Sequence, residues 1–164
     1  MIGGDIRSVR ERPTPLSVIV HALLIWVVAM VQVGFFNRLP LFGATIEVVL
    51  CGVAYVGWRR GALTGALTGV VGGFMLDALG EAGLSLSPLV FMVVGIYAAF
   101  VAERLFDHPL TYLLALLPVH LAVAVWRAVE VGSWVHALAV LAGAYLASIA
   151  TYAPTILRKI KKRR

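Results

Sequence analysis

Six apolar runs, each bounded by polar or turn-forming residues, divide the chain. Leu16 to Phe36 is the first, long enough for a helical span at roughly 20 residues per crossing. Ala44 to Trp58 is the second, a short one, with Glu47 near its start. Arg59-Arg60 reads as a two-residue turn into the third, which ends near Leu79. Ser87-Pro88 opens the fourth, serine as N-cap and proline in the first turn, and it runs to about Glu103. Pro109 opens the fifth, to about Glu130, and Pro118 within it predicts a kink. Trp134 to about Leu157 is the sixth. The predicted fold is an all-α integral membrane protein, a six-transmembrane-helix bundle spanning residues 16–157. A polar N-terminal tail covers residues 1–15 and a basic C-terminal tail residues 158–164.

The third run carries a second pattern. Gly61, Gly65, Gly69 and Gly73 recur every fourth residue, and Asp77 continues the row. A four-residue step advances about 40° beyond one helical turn, so the row forms a slowly winding groove. Thr64 and Thr68 lie beside it. Glycines in this spacing let another backbone approach closely, which lipid alone does not require. Two occupants fit the groove: a helix of this chain's own bundle, or a transmembrane helix of a partner.

Composition agrees with the pattern. Of 164 residues, 61% are hydrophobic and 13% charged, too apolar for a soluble domain. The net charge of +6 sits at segment ends, which argues for membrane topology and against nucleic-acid binding. Arg7, Arg10, Arg12, Arg59, Arg60, Arg104 and the tail residues Arg158, Lys159, Lys161, Lys162, Arg163 and Arg164 share one side of a six-span arrangement. Only Arg38 and Arg127 fall on the other. The positive-inside rule then puts both termini in the cytoplasm. Arg59, Arg60, Arg158, Lys159, Lys161 and Lys162 are the expected topology and lipid anchors. The first run follows a basic start, yet it is long for a signal peptide and MVQVGFFNRLP offers no small-residue cleavage site.

In that topology Glu47, Asp77, Arg38 and Arg127 form a polar cluster near the outer face. Carboxylates at membrane depth are costly and find partners. The cluster reads as an ion-pair network pinning helices, or as an outer site for a partner's membrane segment. A proton pathway is the least favoured use, because polar residues at mid-depth are sparse. His21, His108, His120 and His136 show no ligand spacing to one another or to Cys51, so no metal or cofactor is expected. No nucleophile-base set and no phosphate loop stands out. Cys51, the single cysteine, reads as a buried thiol. Trp58, Trp126 and Trp134 read as belt anchors at the membrane interfaces, and Trp26, mid-span, as a packing residue.

The runs LPLFGATIEVVL, RRGALTGALTGVVGGFMLDALGEAGLSLSPL and VGIYAAF, within Arg38 to Phe100, resemble the MreD family of bacterial rod shape-determining membrane proteins. Ile46-Glu47 stands where family members commonly have Pro-Asp or Pro-Asn, and Ser85 where they have glycine. The resemblance implies a multi-pass protein of the bacterial cytoplasmic (inner) membrane. It also implies a fold similar to the six-helix substrate-binding subunits of energy-coupling-factor vitamin transporters. The implied role is non-enzymatic: a scaffold of the cell-elongation complex that maintains rod shape and lateral peptidoglycan synthesis. It would bind MreC directly, with MreB, RodA and a class B penicillin-binding transpeptidase in the same complex. Self-association into a homo-oligomer stays open. The alternative, from the fold analogy, is a small-molecule-binding transporter subunit.

Overall fold

The structure, a computed structural model, describes residues 14–35, 47–79, 86–104 and 109–161, with backbone alone at some positions of the last two helices. Six helices form there: α1 (Pro15–Gly34), α2 (Val48–Arg60), α3 (Ala62–Leu79), α4 (Ser87–Arg104), α5 (Pro109–Val131) and α6 (Trp134–Lys161). No strand occurs among the described residues.

Local chemistry explains the helix ends. Thr14 accepts a hydrogen bond from the Ser17 N–H at 3.3 Å, and Pro15 follows at the first helical position. The helix α2 continues through Arg59 and Arg60, which fill its last turn. The sequence places the turn at those arginines, but the structure places it at Gly61. There φ is 97°, a value that disfavours a side chain, and the Gly61 N–H donates to the Gly57 carbonyl at 3.0 Å. Gly132 makes the α5–α6 turn with φ 68°. Pro118 lies within α5, which continues past it as one helix. The helix α6 runs on to Lys161, so much of the expected basic tail is helical.

Contacts give the helix directions. Gly65 faces Gly95, Gly69 faces Phe91 and Gly73 faces Pro88, so α3 and α4 are antiparallel. Gln32 meets Val49 across α1 and α2, also antiparallel. Cys51 meets Ser148 and Tyr55 meets Tyr152, so α2 and α6 run parallel. His120 meets Ser148 and Tyr112 meets Tyr152, so α5 opposes α6. Direction therefore alternates along the chain. The helices α2, α3 and α4 form the centre, α1 packs on α2 and α3, and the α5–α6 hairpin attaches mainly by α6 lying along α2.

Large apolar side chains also cover the outside: Leu23, Leu24, Val27, Leu63, Phe74, Leu89, Val93, Leu114, Leu138 and Leu146 are exposed, while Gly65, Thr64, Thr68, Ala98, Cys51 and Ser148 are enclosed beside Leu50, Tyr112 and Tyr152. Water would drive large apolar side chains inward, whereas lipid imposes no such penalty and leaves small residues to pack helices closely. Among the described residues α1, α3 and α4 are long and apolar enough to cross a membrane. Shorter apolar stretches occupy Thr111–Val125 of α5 and Leu141–Ala150 of α6. With its 13 residues, α2 reaches only about 20 Å, less than the roughly 30 Å of hydrocarbon.

One tryptophan expectation fails. Trp58 is 3% exposed rather than at a lipid boundary. Its ring packs edge-on against Tyr112 at 5.3 Å, within an aromatic cluster completed by Tyr55 and Tyr152. Trp26 is 37% exposed on the outer face of α1. There it lines a shallow apolar groove with Ile19, Ala22, Leu23 and Val71.

Candidate functional site

The glycine row is where helix backbones meet. A methyl group on Gly65 would stand 2.7 Å from the Gly57 Cα and 2.8 Å from the Gly95 carbonyl oxygen. On Gly69 it would stand 2.6 Å from the Phe91 carbonyl carbon and 2.7 Å from the Met92 nitrogen. On Gly73 it would meet the Ser87–Pro88 backbone. These neighbours are main chain and cannot swing aside. The occupant of the groove in this structure is therefore α4 of this same chain. Gly61, first in the row, is the turn residue before α3 rather than part of this seam. Gly57 and Gly95, which the sequence reading passes over, complete it from α2 and α4. Gly72 serves another contact, facing Ile25 of α1 and Val49 of α2.

The two threonines beside the row differ. Thr68 donates its hydroxyl to the Thr64 carbonyl at 2.8 Å, a bond that satisfies it within the helix. The Thr64 hydroxyl is fully enclosed and has no partner among the described residues.

The polar end opposite the arginines is built around a residue the sequence reading missed. Gln32 is 3% exposed; its carbonyl oxygen accepts from the Val49 N–H at 2.8 Å, and its amide donates to Glu47 at 3.3 Å. Val49 lies in the first turn of α2, where N–H groups lack intrahelical acceptors. Glu47, at the cap position, makes no capping bond with its own side chain. A side chain from α1 therefore caps α2, and Glu47 is buried in the process. Asp77 stands half-buried in the last turn of α3 at the same end. Arg38 and the Arg127 side chain lie outside the described residues, so the expected four-residue charge cluster is described only at Glu47 and Asp77.

At the other end Arg59 and Arg60 are exposed. The Arg104 guanidinium lies 4.1 Å from the Phe100 ring centroid, a cation–π contact at the close of α4. Arg158, Lys159 and Lys161 belong to α6 by backbone; their side chains and Lys162 are outside the described residues.

A third constellation sits deep between α2, α5 and α6. His120 Nε2 lies 2.9 Å from the Ser148 hydroxyl, which donates to the Cys51 sulfur at 3.4 Å. The Cys51 thiol in turn donates to the Ala144 carbonyl at 3.5 Å. All three side chains are essentially unexposed, as expected for Cys51. The tautomer decides whether Nε2 donates to or accepts from Ser148, and with it whether Nδ1 is a bare acceptor or an N–H. No described group reaches that Nδ1. The sparse mid-depth polarity inferred from the sequence is thus gathered into one chain of three groups. It arrives one residue per helix, so no local spacing announces it. No group of three or more metal-ligating side chains assembles among the described residues.

Comparison with known protein families, curated proteins and solved structures finds no match for this chain.

Proposed function

We propose that the chain is a multi-pass membrane scaffold of the MreD kind, placed in the cell-elongation machinery and binding MreC. The observation that supports this most is where the resembling residues fall. Gly65, Gly69, Gly73 and Gly95 all belong to the resembling stretch, and they are the contacts that join α3 to α4. The motif is thus accounted for as the framework of a rigid bundle, not as a binding groove. MreC would then meet an outward face of that bundle. Six spans with cytoplasmic termini form part of the same proposal. The alternating helix directions and the placing of Arg59, Arg60, Arg104 and the α6 end together favour it.

The test is photo-crosslinking in a rod-shaped bacterium, with a benzophenone residue placed singly at exposed positions of the full chain. Leu23 of α1, Leu67 of α3, Val93 of α4 and Leu146 of α6 cover the outer faces. Crosslinks to MreC from at least one face support the proposal. No crosslink from any face in a normally inserted protein refutes it. The transporter alternative would instead show as a specific thermal shift with a vitamin-like ligand.

A further inference from the structure

The polar chain between α2, α5 and α6 has a position that fits a mechanical role. The α5–α6 hairpin barely touches α4, and α6 is its main seam with the rest of the molecule, along α2. Among the described residues the ring and side-chain hydrogen-bond contacts of that seam fall in two groups, bridged by the Tyr112 hydroxyl, which donates to the Cys51 carbonyl at 3.5 Å. Leu50, Ala115 and Leu116 share its apolar core. Nearer the arginine end, Tyr112 stacks on Tyr152 at 5.0 Å and both pack against Tyr55. Further along lies the Cys51–Ser148–His120 chain. Past it, α2 ends within one turn, whereas α6 continues for ten residues, Trp134 to Gly143, about 15 Å of helix. In that outer part Ala124 packs with Ala139 and Leu141 of the hairpin itself, Val123 also touches the main core, and Val129, Trp134, Val135 and Leu138 are exposed.

We propose that Cys51, Ser148 and His120 form a latch, and that the hairpin is an arm pivoting on the aromatic cluster when the latch opens. Among the described residues, the polar and aromatic groups beside His120 are the Ser148 hydroxyl and the Tyr145 ring, which meets the imidazole edge-on at 5.4 Å. Neither is a formal charge. Among the described residues no group reaches His120 Nδ1, so the closed latch leaves one imidazole nitrogen without a partner there. Hydrogen bonds between helices in a membrane are modest in strength, which lets such a latch open without unfolding the bundle. The proposal concerns this chain's own motion and stands apart from the choice of partner.

Pulsed electron–electron spin resonance on the full chain in phosphatidylethanolamine–phosphatidylglycerol bilayers tests it. One spin-label pair joins Leu138→Cys on α6 to Leu89→Cys on α4; a control pair joins Leu23→Cys on α1 to Leu89→Cys. All three positions are exposed, and the enclosed Cys51 stays unlabelled. In the parent the arm pair gives one narrow distance. Ser148→Ala should add a second distance in about a tenth or more of the molecules, with the control pair unchanged. Cys51→Ala, a milder break if Ser148→Ala fails to insert, should act in the same direction, and Cys51→Ser should restore the single distance. An arm distance unmoved by Ser148→Ala and Cys51→Ala overturns the latch. Equal broadening of both pairs also overturns it, since that would mean general loosening.

Discussion

Gly69→Ala is a sharp perturbation of the bundle. The added methyl would lie 2.6 Å from the Phe91 carbonyl carbon, whereas carbon atoms rest at about 3.5 Å. The helix α4 would have to retreat by about 0.9 Å at that point, taking Gly95 and Pro88 partly off their own contacts. Overpacking against yielding side chains costs about 1–3 kcal/mol, and here the neighbour is backbone, so the upper end applies. Alanine's better helix propensity returns at most about 1 kcal/mol. The net expectation is a loss of about 2 kcal/mol, or roughly thirtyfold in the folding equilibrium. Reversible unfolding of the full chain in mixed micelles, followed by steric trapping, reads this directly. Gly34→Ala is the matched control, because a methyl there meets nothing within 4 Å, and it should be neutral or slightly stabilising. If Gly69→Ala proved as stable as the parent, the close backbone approach across α3 and α4 would be wrong.

The same assay carries three further expectations. Thr64→Val exchanges an unpartnered enclosed hydroxyl for a methyl group and should stabilise by about 1 kcal/mol, while Thr68→Val should not; equal effects would remove the distinction. Gln32→Leu orphans the Val49 N–H and strips one donor from Glu47, for a loss of about 3 kcal/mol; a change below about 0.5 kcal/mol would mean that water replaces the cap. Cys51 should resist a membrane-permeant maleimide in the folded bundle and react after denaturation; prompt labelling of the native protein would contradict its enclosure.

Much of this fold can be read along the chain because lipid and backbone geometry act locally. The start near Leu16, the end near Leu79 and the opening at Ser87 follow from run lengths, caps and prolines. The packing face of α3 is visible because three of its glycines repeat every fourth residue. Their occupant is not, because a row of small residues states only that something comes close. Gly57 and Gly95 each stand alone in an apolar run, so nothing local distinguishes them from tolerated glycines. Trp58 leaves its expected place because distance from a run's end says nothing of which side of the helix faces neighbours. The His120–Ser148–Cys51 chain joins residues 28 and 97 positions apart, and such separations are set by tertiary packing alone. Gln32 is the instructive case: a single glutamine near the end of an apolar helix is a polar group that must find partners, and that cue points to its role as a cap.

Solid-state NMR of the uniformly carbon-13-labelled chain in bilayers, recorded with and without unlabelled MreC, bears most directly on the groove. Backbone cross-peaks between Gly65 and Gly95 and between Gly69 and Phe91 should be present in both samples, at the same intensity. Their absence from the free protein, or their loss when MreC is added, would mean that α4 is not the permanent occupant and that the row is kept for another chain.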